Sequence, residues 1–160
     1  TKEIQLMDTE AIAIRRRRFT ETPMGQKPPF VLRGSYLAAM NFWHGAIENE
    51  WANKWVEYWT DGNGEFVASA MEGSGMMIAL KFLEQANLVD CSRVMMLRAA
   101  SNYTMQWPGG TAVESKSGEV MGGYSAFIPS IENAYTVGSP VVREIVKNWD
   151  TYSSTLPQVK

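Results

Sequence analysis

The chain has 160 residues, of which 45% are hydrophobic and 20% are charged. These proportions lie close to the averages for soluble globular domains, so they exclude a disordered tail, a collagen-like fibre and a disulfide-held miniprotein. The net charge of −2 excludes a global field that would recruit nucleic acid or anionic lipid. No apolar run approaches the roughly 20 residues that a membrane-spanning helix needs. One His and one Cys are too few to predict a transition-metal site.

The first segment predicts a helix that Asp8 caps and that runs through Ala11–Ile14 into four consecutive arginines at 15–18. Four consecutive side chains point to all sides of a helix, so they cannot form one docking stripe. We therefore expect a solvated helix end here, in preference to a phosphate or nucleic-acid patch.

Strands and helices then alternate along the chain. The spacing of Trp51, Trp55 and Trp59 is that of one helix face, and it predicts packing rather than a cofactor site. The alternation predicts an α/β fold with a mainly parallel sheet flanked by helices. The predicted elements are a loop at 20–29, a strand at Phe30–Leu32 running out to Gly34-Ser35, a helix at Ala46–Trp59, a turn at 60–64, a strand at Phe66–Met71, a helix at Gly75–Ala86, a strand at Val94–Ala100, a loop at 101–124 and a helix at Pro140–Ser153.

Polar residues follow each of the three predicted strands. Ligands bind beyond the carboxyl ends of the strands in open α/β sheets, so Gly34-Ser35, Met71-Glu72-Gly73 and Ser101-Asn102-Tyr103 are expected to converge on one pocket. A partly buried carboxylate such as Glu72 needs a partner, and a vicinal diol offers two hydroxyl donors. Glu72 as an ordinary first-turn acid of the next helix is an equally weighted alternative.

The run Ala70-Met71-Glu72-Gly73, followed by a helix, resembles the Met-Glu-Gly element of the nucleoside phosphorylase and nucleosidase superfamily. A narrower resemblance, to the purine nucleoside permease family, spans nearly the whole chain. It rests on the blocks Lys27-Pro28-Pro29-Phe30-Val31-Leu32-Arg33-Gly34, Trp43-His44-Gly45, Leu97-Arg98-Ala99-Ala100-Ser101-Asn102-Tyr103, Glu132-Asn133-Ala134-Tyr135 and Val137-Gly138-Ser139-Pro140-Val141-Val142.

The resemblance implies a nucleoside phosphorylase-like domain of which residues 1–160 are the C-terminal half. The chain opens at Thr1 without a Met, so we expect it to be processed or cut from something longer. A lone half exposes sheet faces and edges, and we expect a companion chain with the N-terminal half, or a homo-oligomer. Relatives often look exported, which slightly favours an exported protein.

The resemblance also implies a purine nucleoside as the ligand. Met71 and Glu72 would hold the ribose, and Asn102 would hold the base where many relatives carry an acid. His44 would assist N-glycosidic cleavage by phosphate or water, phosphate being the only co-substrate expected and no cofactor being needed. Further expected substrate contacts are Ser35, which replaces the relatives' Asp, Ser101, Arg98, which can pair with Glu72, and the stacking residues Tyr103 and Trp107.

Three alternatives remain open at this point. The chain can be a non-catalytic nucleoside-binding component of uptake, or a storage or lectin-like protein that has lost the site. Asn102-Tyr103-Thr104 is also an N-glycosylation sequon. A glycan at Asn102 would block the pocket, and we favour the pocket.

Overall fold

A computed structural model of the chain describes residues 4–40, 42–121 and 126–156. Two strands, β1 and β2, and six helices, α1 to α6, make up the regular structure of these residues. Their bounds are α1 Glu10–Arg16, β1 Ser35–Ala38, α2 Ala46–Trp59, β2 Phe66–Ala70, α3 Gly73–Gln85, α4 Ala112–Met121, α5 Phe127–Lys147 and α6 Trp149–Tyr152, with short 3-10 turns at Pro23–Gln26 and Cys91–Arg93.

The two strands pair in parallel, with Ser35 opposite Phe66 and Ala38 opposite Ala70. Helix α2 makes the crossover between them and packs on both strands, and its buried residues are Ala52 and Val56. The pairing continues one bond beyond β1, where the N–H of Ala39 donates to the Ala70 carbonyl at 3.0 Å. The expected helix α2, strand β2 and helix α3 are confirmed.

The first strand was predicted too early in the chain. Residues 30–34 adopt no regular structure, and β1 begins at Ser35. Gly34, the residue before β1, lies close against the neighbouring strand, since a Cβ there would lie 2.5 Å from Cγ1 of Val67. The apolar run Phe30–Leu32 is exposed instead.

The predicted strand at Val94–Ala100 is wrong for the described structure, in which these residues have no regular structure. No backbone–backbone hydrogen bond joins residues 95–100 to another described residue. A strand exists only when a neighbour pairs with it, and apolar composition alone could not reveal that the neighbour is missing.

The arginine-rich helix end is only partly solvated, because Arg15 and Arg16 are buried whereas Arg17 and Arg18 are exposed. Thr9 caps α1 in place of Asp8, accepting from the Ile12 N–H. Asp8 instead accepts two hydrogen bonds from the guanidinium of Arg16. Arg15 is 3% exposed and donates to the carbonyl and hydroxyl oxygens of Ser115.

The expected loop at 101–124 contains helix α4 over Ala112–Met121, while residues 122–124 lie outside the described residues. The helix starts with a capping box, in which Thr111 N–H donates to Glu114 and Glu114 N–H donates to the Thr111 hydroxyl.

The predicted start of the last helix at Pro140 is also wrong. Helix α5 begins at Phe127 and runs through Pro140, although an interior proline removes a backbone hydrogen bond and crowds the preceding turn.

Little apolar surface is buried in the described part of the chain. Its buried hydrophobic residues are Phe19, Ala52 and Val56. A two-stranded sheet rarely suffices for independent stability, and parallel sheets are normally covered on both faces.

Candidate functional site

The carboxyl end of β2 presents a solvent-accessible carboxylate. The strand ends at Ala70, and Glu72 occupies the cap position of α3 without making a side-chain cap hydrogen bond. Its side chain is 69% exposed, so the expected partial burial of this carboxylate is wrong. The neighbouring Met71 is exposed as well. Glu72 therefore has the accessibility that a ligand contact requires.

Arg98 contacts this carboxylate, as the sequence predicts. Its Nη1 lies 3.4 Å from Oε2 of Glu72, and its guanidinium carbon lies 5.5 Å from the centroid of the Tyr36 ring. The pair is largely open to solvent, so it contributes about 0–1 kcal/mol of stability.

Sequence reasoning missed Tyr36, the third member of this cluster. Tyr36 lies on β1 opposite Ala68, and its ring fills the space beside Gly73, the first residue of α3. The run Tyr36-Leu37-Ala38 after Gly34 was the available signal, and it was hidden because the strand was placed at 30–32. We call Tyr36, Glu72 and Arg98 the Glu72 cluster.

Ser35 lies at the other end of the sheet. It pairs with Phe66, the first residue of β2, whereas Glu72 follows the last one. Three residues of strand put these ends roughly 10 Å apart, so the expected convergence of Ser35 with Glu72 does not occur. Ser35 instead lines an open depression of 440 Å³ with Arg33, Asn63 and Glu65.

Ser101 and Asn102 bond to their immediate neighbours. The Ser101 hydroxyl donates to Oδ1 of Asn102 at 3.3 Å, and the Asn102 amide donates to the Tyr103 carbonyl at 2.9 Å. Asn102 is exposed. Among the residues described, no hydrogen bond connects either one to the Glu72 cluster.

Tyr103 and Trp107 pack against the N-terminal segment. The Tyr103 ring stacks on Phe19 with centroids 3.8 Å apart, and its hydroxyl donates to the Gly25 carbonyl. The Trp107 ring carries the Arg18 guanidinium 4.8 Å from its centroid. The two rings that were predicted to stack on a purine therefore have partners within the chain.

His44 lies where the loop 103–107 contacts the start of α2. The N–H of Gly45 donates to the Thr104 carbonyl and that of Ala46 to the Gln106 side chain, both at 3.0 Å. Both ring nitrogens of His44 are shielded from solvent, and neither has a hydrogen-bond partner of good geometry in the described chain. Burial, and then the positive charges of Arg15 and Lys116, lower the pKa of His44 below its ordinary value of 6.5.

The predicted site residues thus divide into separate groups. Glu72 and Arg98 are brought together with Tyr36. His44 instead lies with Tyr103 and Trp107, where the loop 103–107 contacts the start of α2. No hydrogen bond or ion pair among the described residues links the two groups.

Within residues 4–40, 42–121 and 126–156, no three His, Cys, Asp or Glu side chains are grouped to hold a metal ion. No helix over those same ranges has the length and hydropathy needed to cross a membrane.

Comparisons with known proteins point to one family. The purine nucleoside permease (NUP) family model matches residues 1–157. A "purine nucleoside permease" of Candida albicans is 30% identical over 142 residues, which are 89% of this chain and 34% of the relative. A "probable purine nucleoside permease" of Schizosaccharomyces pombe is 23% identical over 152 residues, 95% of this chain and 42% of that protein.

The chain therefore spans about a third to two fifths of the length of these curated relatives. No solved structure matches it. The family model covers nearly the whole sequence, and the blocks that carry the sequence resemblance are distributed along the same region. On this evidence the chain belongs to the purine nucleoside permease family.

Proposed function

We propose that this chain contributes a purine nucleoside-binding surface to nucleoside uptake, with Glu72 accepting hydrogen bonds from the ribose hydroxyls. The family match and the names of the relatives support transport. The fold that accommodates this site would be nucleoside phosphorylase-like, with β1 and β2 as two strands of a larger sheet.

The proposal rests on the second oxygen of the Glu72 carboxylate, Oε1, which is open to a ligand. Arg98 contacts Oε2 from one side, while Oε1 has no hydrogen-bond partner in the described structure. An ionised carboxylate accepts through both oxygens, so a vicinal diol can add to Oε1 without displacing Arg98. The exposed Met71 side chain is the adjacent apolar surface for a ribose ring.

Cleavage of the N-glycosidic bond is the more specific alternative, and it has less support. A general acid must reach the purine with a proton available near neutral pH. His44 has shielded ring nitrogens and a lowered pKa, and Asn102 cannot supply a proton. Cleavage therefore stays a prediction that an assay must decide.

Equilibrium dialysis of the full chain with labelled inosine, guanosine and adenosine tests the binding site. Removing the charged acceptor by Glu72→Gln is expected to weaken nucleoside binding about 10- to 100-fold, the equivalent of ~1.5–3 kcal/mol. Glu48→Gln, a matched change at an exposed residue of α2, should leave the affinity unchanged. The diol itself is tested with 2′,3′-dideoxyinosine, which should bind the unaltered chain as weakly as inosine binds Glu72→Gln. Equal affinity of the unaltered chain for inosine and its dideoxy analogue would refute the ribose site.

Chromatography of the same nucleosides after incubation separates uptake from catalysis. Free base that forms only with phosphate identifies phosphorolysis, and free base without phosphate identifies hydrolysis. Retained binding without free base under both conditions is the result expected for an uptake component.

A further inference from the structure

Helix α5 carries an apolar stripe that nothing in the described structure covers. Its exposed residues are spaced by three, four, seven and four along the helix, which places them within one narrow arc of its circumference. These residues, which we call the α5 stripe, are Ile128, Ile131, Tyr135, Val142 and Val146, and each is at least half exposed. A stripe along most of a 21-residue helix is far more regular than scattered surface apolar residues.

A segment without backbone pairing, residues 95–100, lies beside the helix. Gly138 of α5 approaches Leu97 so closely that a Cβ at 138 would lie 3.1 Å from Cδ2 of Leu97. Met95 and Leu97 of this segment are both exposed. The backbone groups of residues 95–100 bond to no other described backbone group, so they remain open to an incoming strand.

A partner that covers this face must therefore supply both a strand for residues 95–100 and an apolar surface for the α5 stripe. A nucleoside supplies neither. The curated relatives carry a long polypeptide beyond the region that this chain matches, since the match covers 34% and 42% of their lengths. A further stretch of polypeptide can supply both a strand and an apolar face.

We infer that the α5 stripe and residues 95–100 form a docking face for the portion of the permease family polypeptide that lies outside this chain's match. That portion adds a strand along residues 95–100 and buries the α5 stripe, whether it belongs to the same polypeptide or to a second one. The inference concerns assembly and does not depend on the nucleoside site at Glu72.

Co-expression tests the docking face with a defined probe. The probe is the tagged portion of the Candida albicans permease outside its 142-residue match, and its own matched segment is the positive control. Purification through the tag is expected to bring down this chain in a 1:1 complex by light scattering. Amide hydrogen exchange of residues 95–100 should slow at least tenfold in the complex.

Variants separate the docking face from the rest of the helix. Ile131→Glu and Val142→Glu should each reduce co-purification at least tenfold, because they place a charge in the apolar contact. Lys147→Glu introduces the same side chain away from the stripe and should co-purify normally. Circular dichroism of each variant checks that helix content is retained.

Several results would overturn the inference. The first is failure of this chain to co-purify with the tagged probe, whether or not the matched segment of the Candida albicans permease co-purifies with it. Another is self-association of this chain with the stripe protected in the homo-oligomer, which would make a second copy the occupant. The last is equal co-purification of Val142→Glu and Lys147→Glu.

Discussion

Tyr36 and Gly73 are in such close contact that any larger residue at position 73 would displace the Tyr36 ring. A Cβ on residue 73 would lie 1.7 Å from the Tyr36 hydroxyl oxygen and 2.5 Å from its Cζ. The contact joins β1 to the first residue of α3, directly after Glu72. The glycine of the Met71-Glu72-Gly73 run therefore has a steric role, in which it fixes the backbone that carries the candidate ribose-binding carboxylate.

Gly73→Ala should destabilise the fold by about 1–3 kcal/mol, as other overpacked sites do, because the rigid Tyr36 ring must leave its place. Urea unfolding of the variant measures the loss. The double variant Tyr36→Ala with Gly73→Ala should lose less than the sum of the single changes, since contacting residues are not additive. Simple additivity would show that the two residues do not share this space.

Gly45 adopts a backbone conformation that other residues avoid, with φ 140° and ψ 160° at the start of α2. Gly45→Ala should therefore cost about 1–3 kcal/mol in unfolding free energy, although the nearest atom to the new Cβ is 3.5 Å away. Gly75→Ala is the matched control, because it lies within α3 with open space around it. That control should stabilise the chain by about 0.5–1 kcal/mol, so two Gly→Ala changes are expected to have opposite signs.

The elements that local sequence signals specify were predictable. Trp51, Trp55 and Trp59 mark one face of α2, although the expected packing of that face is wrong because all three side chains are exposed and contact one another. The turn at 60–64 places the start of β2. The capping box of Thr111 and Glu114 was an equally local signal for α4, but the surrounding glycines favoured a loop. Pro140 was interpreted as a helix start because that is its commonest helical position.

What could not be predicted depends on residues far apart in the chain. The burial of Arg15 follows from its hydrogen bonds to Ser115, 100 residues away. In the candidate site the Glu72–Arg98 pair was predictable from complementary charges near two expected strand ends. Tyr36 was not, because its role depends on the register of β1 against β2 and on the approach of α3.

The Asp8–Arg16 pair should make stability depend on acid pH. Hydrogen bonding to Arg16 holds the pKa of Asp8 below its ordinary value of 3.8. The stabilisation is therefore fully present well above pH 3.8 and is lost as the pH falls through the lowered pKa. Asp8→Asn should cost about 2–3 kcal/mol at pH 7, below the ~3–5 kcal/mol of a fully buried pair, because the Asp8 side chain is 29% exposed. Urea unfolding at pH 7, 5, 4 and 3 should show the two proteins converging at the acid end, and a constant gap would contradict the pairing.

His44 offers the cleanest electrostatic test, because it is the only histidine and gives a single imidazole titration. Burial and the charges of Arg15 and Lys116 lower its pKa below 6.5, so the folded protein resists protonation that the unfolded chain accepts. Stability should therefore fall as the pH drops from about 6.5 towards the lowered pKa. By NMR, Lys116→Gln should raise the titration midpoint towards 6.5, whereas Lys54→Gln on the exposed side of α2 should leave it unchanged. A midpoint above 6.5 in the unaltered chain would restore His44 as a proton donor near neutral pH and strengthen the case for cleavage. A midpoint below 6.5 leaves it neutral at pH 7, as a packing residue of the loop that caps α2.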